Sequence, residues 1–335
     1  MSLISVVIPV FNEEGNLEVL HRRLCALEGI DGDRYELIFV DDGSSDRSRD
    51  IIRDLAKKDP RVRYLFFSRN FGHEQATTAG LDRAAGDAAV IIDSDLQDPP
   101  EMIPEMVRKW RQGYQIVYAQ RRERKGESIF KKFTSWFFYR LVRITSDCDI
   151  PRDTGDFRLI DRLVVREFRR CREQHRFVRG LIAWTGFRQV AVPYDRDERL
   201  SGSTKYGVVK LIRLAFDAIL GFSTLPLRVG LLLGVLVSAV AFVEMCRVLY
   251  VKLFTGIPIP GYALQTTAIL LLGGVQLLVI GLVGSYVGRI YRQSQNRPLY
   301  VVAEDSRSED AEAAAKEKVP PESQSPRHGG AGPTT

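Results

Sequence analysis

The first half of the chain alternates between short apolar runs and segments long enough to form a helix. The apolar runs cover residues 4–10, 36–40, 62–67, 88–92 and 116–119. Strands separated by helical segments are typical of βαβ units, so we predict an α/β fold with a mainly parallel sheet. In such sheets ligands bind beyond the carboxyl ends of the strands, and the residues that follow each strand are therefore the first candidates for function.

Two long apolar segments nearer the C-terminus predict a pair of transmembrane helices. No charged residue occurs from 229 to 243 or from 253 to 288, and the second stretch contains the turn sequence Gly-Ile-Pro-Ile-Pro-Gly. A spanning helix needs roughly 20 apolar residues, which predicts helices at about 229–251 and about 263–287. Glu244 is expected to pair with Arg247 one turn further on or to lie at the membrane interface. The alternative is a buried helical hairpin of a soluble protein.

Basic residues flank this predicted hairpin and determine its expected orientation. Those before and after it are Lys205, Lys210, Arg213, Arg228, Arg289, Arg292 and Arg297, whereas the connecting loop has little beyond Lys252. Because positive residues are retained in the cytoplasm, we expect both ends of the chain there. The first residues lead directly into a strand without a basic segment or cleavage site, so we expect no signal peptide.

These patterns predict four regions. They are an α/β domain at 1–205 with an interfacial helix at about 128–144, a second interfacial helix at 206–228, the transmembrane hairpin at 229–288, and a cytoplasmic, largely disordered tail at 289–335. The interfacial segments are basic and amphipathic, which is typical of helices that lie on an anionic membrane. The tail is rich in Ala, Glu, Ser, Pro and Gly and has too little apolar area to order itself.

The net charge of +6 hides an uneven distribution. Residues 1–303 contain 44 basic and 35 acidic residues and carry +9, whereas the tail is acidic. Because the basic residues cluster beside the predicted spans, we expect a membrane and phosphorylated substrates as partners, and no nucleic acid. The four cysteines have no CxxC spacing and the four histidines form no cluster, which argues against a disulfide framework or a structural zinc site.

Carboxylates, and not glycines, follow the first two predicted strands. The sequences are PVFNEEGN at 9–16 and DDGSSD at 41–46. A dinucleotide-binding Rossmann domain or a P-loop kinase would need glycines there, so both are disfavoured. Acidic groups at a strand end can accept hydrogen bonds from a base or from ribose hydroxyls, which makes Asp41 and Asp42 candidates for nucleotide binding. Residues 44–46 are equally well explained as caps of the next helix.

The fourth apolar run ends in Asp93-Ser94-Asp95-Leu96-Gln97, followed by a double proline and a helical segment. Two carboxylates spaced by one residue at a strand end can both face a hard divalent cation, with the side-chain carbonyl of Gln97 as a further oxygen ligand. A cation with so few protein ligands keeps coordination positions for diphosphate oxygens. We therefore predict a Mg²⁺ or Mn²⁺ site formed by Asp93, Asp95 and Gln97.

Several segments taken together carry a family resemblance. They are VVIPVFNEEGNL, VDDGSSD, RNFGHEQATTAGLDRAAGD, DSDLQDPPE, DTGDFRLIDR and RLSGSTKYG. Their joint occurrence in this order resembles the family 2 glycosyltransferases that use polyisoprenyl-phosphate acceptors, which include dolichol-phosphate mannosyltransferases and bacterial undecaprenyl-phosphate glucosyltransferases. The resemblance implies a GT-A fold, a nucleotide-sugar donor, Mg²⁺ or Mn²⁺, inversion at the anomeric carbon and a lipid-phosphate acceptor.

The resemblance also implies roles for individual residues. Those implied to bind the nucleotide sugar are Pro9, Phe11, Glu13, Val40, Asp41, Asp42, Asp93 and Ser94. Two of them depart from the family pattern, because Phe11 stands where tyrosine is common and Ser94 where alanine is common. The departures leave the predicted metal ligands intact and put a hydroxyl contact from position 11 in doubt.

Basic residues are implied to hold the phosphates of the acceptor or the donor. They are Arg121, Arg122, Arg199 and Lys205, with Ser203 in the same loop as the last two. Asp156 matches the position of the family's catalytic carboxylate. Because a phosphate acceptor with a second pKa of about 6 is already anionic at neutral pH, Asp156 is either a general base or a group that orients the acceptor.

The sequence therefore predicts transfer of a sugar, with UDP-glucose favoured, to a polyisoprenyl phosphate, with undecaprenyl phosphate favoured, on the cytoplasmic leaflet of the inner membrane. GDP-mannose or a UDP-aminosugar is the alternative donor, and a catalytically silent membrane scaffold is the alternative of another class. A processive polysaccharide synthase is disfavoured because the segment QHRFVR at 174–179 lacks the tryptophan of a QxxRW motif. A second copy of the chain and a lipid-linked-sugar flippase are further expected partners.

Overall fold

Each apolar run of the first half forms a strand of one sheet. The computed structural model describes residues 2–27, 33–121, 154–194, 225–254 and 261–307. The strands are β1 (Leu3–Val10), β2 (Arg34–Asp41), β3 (Val62–Phe67), β4 (Ala88–Ile91), β5 (Ile116–Arg121), β6 (Thr154–Asp161), β7 (Gln189–Tyr194) and β8 (Val302–Asp305). Strands β6 and β8 were not predicted, because Gly155 and Asp156 interrupt the apolar pattern within β6 and β8 is only four residues long.

Helices connect the strands and cover both faces of the sheet. They are α1 (Leu17–Cys25), α2 (Ser48–Lys58), α3 (His73–Arg83), α4 (Ile103–Arg111), α5 (Arg162–Arg170), α6 (Val178–Trp184), α7 (Leu225–Phe254) and α8 (Tyr262–Ser294), with a 3₁₀ turn at Pro100–Met102. Helices α1, α2 and α4 pack into the apolar core on one face, and α3, α5 and α6 pack on the other. The result is a three-layer α/β arrangement.

The strand order is β7-β5-β6-β4-β1-β2-β3-β8. Strands β4, β1, β2 and β3 are parallel neighbours, as are β5 and β7, whereas β6 and β8 run antiparallel to their neighbours. The predicted α/β fold with a mainly parallel sheet is therefore confirmed. The carboxyl ends of β1, β2 and β4 meet at one edge, where ligands bind in sheets of this kind.

Helix α3 approaches β1 closely because it carries a glycine at the contact. A Cβ added to Gly80 would lie 2.2 Å from Cγ1 of Val7, so only glycine allows this distance between helix and strand. The close approach holds α3 over the centre of the sheet. Its first residue, His73, then lies at the edge where the strands end.

Helices α7 and α8 form the apolar hairpin expected from the sequence. They contain windows at Gly230–Arg247 and Leu271–Ser294 that are long and apolar enough to cross a membrane, and none of either window is buried inside the protein. Within the described residues neither window packs into a protein core, which favours the transmembrane interpretation over a buried hairpin of a soluble protein. The predicted pairing of Glu244 with Arg247 is confirmed, with Oε1 and Nη2 2.5 Å apart.

The chain beyond the hairpin departs from the predicted tail. Residues 289–294 belong to helix α8, and Val302–Asp305 pairs antiparallel with β3 as the last strand of the sheet. The prediction of a largely disordered segment from 289 is therefore wrong for residues 289–307. A segment too polar to fold alone can still add to the edge of an existing sheet, because the main-chain hydrogen bonds of β3 are already aligned for it.

The two predicted interfacial helices, at 128–144 and 206–228, lie outside the described residues except at positions 225–228, where α7 has begun. The loop between the apolar helices at 255–260 and the end of the tail at 308–335 also lie outside them. Apart from the correction for residues 289–307, the division of the chain into four regions stays a prediction.

Candidate active site

A cavity of about 510 Å³ lies at the carboxyl ends of β1, β2 and β4. Residues lining it that the sequence had singled out are Pro9, Phe11, Glu13, Asp42, Asp93, Ser94 and Asp95. Residues lining it that had no predicted role are Val10, Asn70, Gly72, His73 and Ala76. The segments that follow the four parallel strands β1 to β4 therefore converge on one space, as the parallel arrangement requires.

The loops after β1 and β2 are joined by hydrogen bonds. Asn12, at φ +57°, donates its N–H to Ser44 Oγ over 2.9 Å and accepts from the Ser45 N–H over 2.8 Å. The Asp46 carboxylate accepts from the Glu14 and Ser48 N–H groups. Ser44 and Ser45 therefore link the two loops instead of capping α2, whereas Asp46 does accept from the first N–H of that helix.

The adjacent carboxylates Asp41 and Asp42 have different surroundings. Asp41 is buried away from the cavity, and its Oδ1 accepts hydrogen bonds from Arg49 Nε at 2.6 Å and from the N–H groups of Gly43 and Ser44. These bonds show that Asp41 stabilises the turn, and its predicted contact with the nucleotide sugar stays a prediction. Val40 is likewise buried in the apolar core and does not line the cavity.

Asp42 lies at the cavity and supports its wall. Its Oδ1 accepts from the Phe71 N–H at 2.6 Å, and its Oδ2 accepts from the Gly72 N–H at 2.9 Å. Burial raises the pKa of the Asp42 carboxyl, and the two backbone hydrogen bonds oppose that rise. Gly72 has φ +114°, a conformation that favours glycine, so the wall needs this residue type to reach the carboxylate.

The segment after β4 presents two carboxylates to the cavity. Ser94 Oγ donates to the Pro9 carbonyl over 3.0 Å and ties the ends of β4 and β1 together. Asp95 Oδ1 accepts from the Gln97 N–H over 3.1 Å, around Leu96 at φ +60°. Gln97 is buried and does not line the cavity, so its predicted role as a metal ligand stays a prediction.

A divalent cation fits this donor set. Asp93 Oδ1 is buried and accepts no hydrogen bond within the described part of the chain. Burial raises the pKa of Asp93 to about 7, against the lowering effect of His73. A buried carboxylate oxygen without a donor, beside a second carboxylate on the same cavity, is suited to a hard cation such as Mg²⁺ or Mn²⁺.

His73 connects Asp93 with Asp156. Its Nε2 lies 3.6 Å from Asp93 Oδ1 and 3.5 Å from Asp156 Oδ2, and one ligand atom from each of the three side chains lies within 4.8 Å of the others. Burial lowers the pKa of His73, but hydrogen bonding to Asp156 and the charge of Asp93 outweigh it and raise that pKa to about 9.

Arg179 holds Asp156 from the other side. Arg179 Nε and Nη2 donate to Asp156 Oδ1 and Oδ2 over 2.5 and 2.8 Å. Burial raises the pKa of Asp156, but His73 and Arg179 outweigh it and hold the pKa well below its usual range. The Val178 N–H donates to Glu74 Oε2 over 2.7 Å, which brings the first turns of α6 and α3 together and so places Arg179 near His73.

Sequence reasoning gave no role to His73 or Arg179. His73 lies within the segment RNFGHEQATTAGLDRAAGD, which contributes to the family resemblance. Arg179 is the last residue of the segment QHRFVR, which was considered only as a possible QxxRW motif. Among the predicted basic residues, Arg121 ends β5 opposite Tyr194 of β7. Those outside the described residues are Arg122, Arg199, Ser203 and Lys205.

Comparisons with known proteins show the family of the chain. Residues 5–169 match the model of Glycosyl transferase family 2. An uncharacterized glycosyltransferase of Bacillus subtilis (strain 168), YkcC, is 51% identical over 89% of this chain and 92% of its own. The SfII prophage-derived bactoprenol glucosyl transferase of Shigella flexneri is 41% identical over 91% of this chain and 98% of its own.

Among solved structures, glucosyl-3-phosphoglycerate synthase from Mycobacterium tuberculosis in complex with Mn²⁺, uridine-diphosphate and glucosyl-3-phosphoglycerate aligns with 65% of this chain and 78% of its own. The alignment has 21% identity and a TM-score of 0.43. The relatives and the matched family model confirm the predicted enzyme class and leave no support for a silent scaffold. The chain belongs to glycosyl transferase family 2 and is a glycosyltransferase with a GT-A-type α/β domain.

Proposed function

We propose that this glycosyltransferase moves a sugar from a nucleotide-diphosphate sugar to a polyisoprenyl phosphate, with inversion at the anomeric carbon. UDP-glucose is the favoured donor and undecaprenyl phosphate the favoured acceptor. One observation carries the proposal: the chain that forms the acidic cavity also forms two apolar helices, and the end of the second is bonded to the α/β domain. The Gln174 N–H donates to Gln293 Oε1 over 2.8 Å, and Gln293 Nε2 donates to the Arg172 carbonyl over 3.1 Å.

This attachment favours a substrate that resides in the membrane. Helices α7 and α8 have 30 and 33 residues, more than the roughly 20 that cross the apolar core of a bilayer. Gln293 lies in the last turn of α8, so the attached domain stands next to the membrane surface and a lipid headgroup can reach it. The name of the relative from Shigella flexneri, at 41% identity, supports a polyprenyl carrier and glucose.

We propose that the nucleotide-sugar donor binds in the cavity at the carboxyl ends of β1, β2 and β4. Phe11 is 48% exposed and offers a ring face to a base, and Asp42 offers a carboxylate to the nucleoside. Asp93 and Asp95 would hold a divalent cation, which when bound offsets negative charge on the departing diphosphate. Gln97 is the proposed third ligand.

We propose that the basic segments next to the membrane bind the phosphate of the lipid acceptor. Two anions have to approach each other for the transfer to occur, and cationic side chains reduce their repulsion. The residues proposed for this role are Arg121, Arg122, Arg199, Ser203 and Lys205. The interfacial helices at 128–144 and 206–228 would carry them to the headgroup level.

Asp156 is proposed as an orienting group. Both of its carboxylate oxygens accept hydrogen bonds from Arg179, and Oδ2 also faces His73. A phosphate acceptor needs no proton removed at neutral pH, because its second pKa is about 6. In-line positioning of the phosphate oxygen, and not proton transfer, is therefore the proposed contribution of this carboxylate.

The cytoplasmic leaflet of the inner membrane is the proposed location, because basic residues flank both ends of the apolar hairpin. A transferase that releases a lipid-linked sugar on that leaflet also needs a flippase to deliver its product. A second copy of the chain is a further proposed partner. GDP-mannose or a UDP-aminosugar is the competing donor.

The test is transfer of radiolabel from a panel of nucleotide sugars into a bacterial membrane lipid extract by the full-length protein. We expect label from UDP-glucose in the organic phase with Mg²⁺ or Mn²⁺, and none from the Asp95→Asn variant. The Glu105→Gln variant, which changes an exposed acid on α4, is the matched control and should keep its activity. Label that enters only water-soluble products would overturn the lipid acceptor.

A further inference from the structure

The chain returns to the sheet after the apolar hairpin and joins it through the backbone. Strand β8 pairs with β3 in the register Leu65 with Asp305 and Phe66 with Glu304. The bonding continues past the strand ends, because the Ser68 N–H donates to the Val301 carbonyl over 3.0 Å. Residues 301–305 therefore follow β3 to the point where the loop to α3 begins.

Ion pairs hold this returning segment, named here the return strand (residues 300–305), against neighbouring elements. Arg53 of α2 donates to both carboxylate oxygens of Glu304 over 2.9 and 2.7 Å. Arg83 of α3 lies 2.9 Å from Asp305. These contacts come from helices on opposite faces of the sheet, so the return strand is fixed from both sides.

Tyr300 brings an aromatic ring into the domain at the start of the return strand. Its ring stacks on Phe67, with centroids 5.1 Å apart and planes 13° apart. Its hydroxyl donates to Asp82 Oδ2 over 2.8 Å, and Arg172 holds the same carboxylate through two further hydrogen bonds. The ring is therefore fixed at both its face and its tip.

The aromatic contacts continue from Tyr300 to the wall of the cavity. Phe67 meets Phe71 edge to face, with centroids 5.6 Å apart. The Phe71 N–H donates to Asp42 Oδ1 over 2.6 Å, and Asp42 lines the cavity. Tyr300 and Val302 pack against the same buried cluster as Phe71. The wall is thus supported by Asp42 on its inner side and by the return strand on its outer side.

We propose that Tyr300 is a positioning residue for the nucleotide, and that the return strand completes the donor site from outside it. Tyr300 does not line the cavity, so it acts through Phe67 and Phe71 on Asn70 and Gly72, which do. Binding of the donor by the α/β domain then depends on residues 300–305, which follow the apolar hairpin in the sequence. The inference rests on the proposed function in one respect, that the cavity binds a nucleoside diphosphate.

The test measures the Kd of UDP, with Mn²⁺ present, for the full-length protein in lipid nanodiscs, together with kcat and KM for the donor. Loss of the Tyr300 ring removes one stacked aromatic contact from the outer side of the wall and leaves the lining residues themselves unchanged. Tyr300→Ala should therefore raise the Kd of UDP and the donor KM about tenfold, with kcat changed less than about twofold. Val302→Ala, a milder variant, should raise the Kd about threefold.

Two further variants separate positioning from general damage. Tyr300→Phe keeps the stacked ring and loses only the bond to Asp82, so it should bind UDP within about twofold of the wild type. Val301→Ala changes a neighbouring side chain that is 48% exposed, and it should also leave the Kd unchanged. Among the variants at position 300, we expect the Kd of UDP to rise only in the one that lacks an aromatic ring.

Other outcomes overturn the inference. One is a Tyr300→Ala protein with a lowered Tm and an unchanged Kd, since that residue would then be merely structural. Another is an equal loss of binding in Val301→Ala. A wild-type protein that binds neither UDP nor GDP overturns the proposed function, and the inference with it. If the wild type binds UDP and every variant binds it with the same Kd, the inference is wrong and the proposed function is unaffected.

Discussion

Both carboxylate oxygens of Asp156 accept hydrogen bonds from the guanidinium of Arg179, over 2.5 and 2.8 Å. The planar fork of arginine matches a carboxylate in this bidentate way and fixes its orientation as well as its charge. Asp156 comes from β6 and Arg179 from α6, so the pair also joins two elements next to His73, which lines the cavity. A carboxylate held like this is suited to fix the position of another group.

Arg179 should therefore be needed for turnover although no ligand contact was predicted for it. We expect Arg179→Gln to lower kcat about a hundredfold, because a misplacement of about 1 Å at a reacting centre costs that much. Arg179→Lys should recover only part of the loss, since an ammonium makes no fork. Steady-state kinetics with saturating donor check both values.

The matched control is Arg166→Gln on α5, where the arginine is 70% exposed and pairs with Glu167. That variant should keep kcat within about twofold, as expected for an exposed ion pair. An Arg179→Gln protein with full kcat would contradict the positioning of Asp156 by Arg179.

The cation site makes the second prediction. Asp95→Asn should cost about 3 kcal/mol of transition-state stabilisation, or more than a hundredfold in rate, by analogy with the loss of one preorganised electrostatic group. EDTA should abolish the activity of the wild type, and added Mg²⁺ or Mn²⁺ should restore it. The rate of sugar transfer is the measurement, and equal rates with EDTA and with metal would falsify the role of the cation.

The third prediction concerns the membrane. An even number of spans with basic flanks leaves both ends of the chain on the same side. Cysteines introduced at Val301, which is 48% exposed, and at Ile257, in the loop between the apolar helices, should be labelled from opposite sides of sealed vesicles. The parent protein provides the background, because Cys246 is itself exposed. Labelling of both positions from one side would exclude the hairpin topology.

The sequence predicted where the strands end better than which side chains meet there. Asp93 and Asp95 were recognisable because a DxD directly follows an apolar strand, and the spacing alone carries that signal. Asp41 and Asp42 are adjacent carboxylates, and only their surroundings distinguish a residue buried with Arg49 from one that lines the cavity. Local patterns contain no information about such surroundings.

His73 and Arg179 escaped sequence reasoning for the same reason. Their meeting at Asp156 depends on three segments that are distant along the chain, and a long-range contact leaves no periodic signal. The return strand escaped because composition indicates whether a segment can fold alone, whereas β8 uses an edge that β3 already offers. Bounded apolar runs were sufficient for β1 to β5 because their burial is a local property.

The fourth prediction concerns stability against pH. Hydrogen bonds from Arg61 lower the pKa of Asp59 against the opposing effect of burial, and His21 contributes a further bond over 2.9 Å. A depressed folded-state pKa contributes stability that is fully present above the unfolded value of about 3.9, and that stability is lost progressively as the pH falls from there through the folded-state pKa. The apparent Tm of the wild type should therefore fall steeply below about pH 4.

Asp59→Asn removes this contribution. Its apparent Tm should be several degrees below that of the wild type at pH 7, because a hydrogen bond to a charged group contributes about 1.5–3 kcal/mol. The difference between the two proteins should shrink progressively as the pH falls below about 4, and it should close only when the pH has also fallen through the depressed folded-state pKa of Asp59. Asp54→Asn is the control, since that side chain is 63% exposed and pairs with Lys57 on the same helix. Parallel pH curves for wild type and Asp59→Asn would contradict the assignment.

The last prediction separates the two roles left open for Asp156. With a phosphate acceptor, the attacking oxygen becomes a dianion as the pH rises through its second pKa of about 6, and the rate should rise with it. Asp156→Asn keeps the size of the side chain but loses the charge that Arg179 and His73 engage, so its rate should be lower at every pH. The rising limb should nevertheless stay at the same pH in variant and wild type, because it belongs to the acceptor. Rate against pH at saturating acceptor measures this, with acceptor binding determined separately. A limb that disappears or moves in the variant while acceptor binding is unchanged means that Asp156 removes a proton, and the orienting role is then wrong.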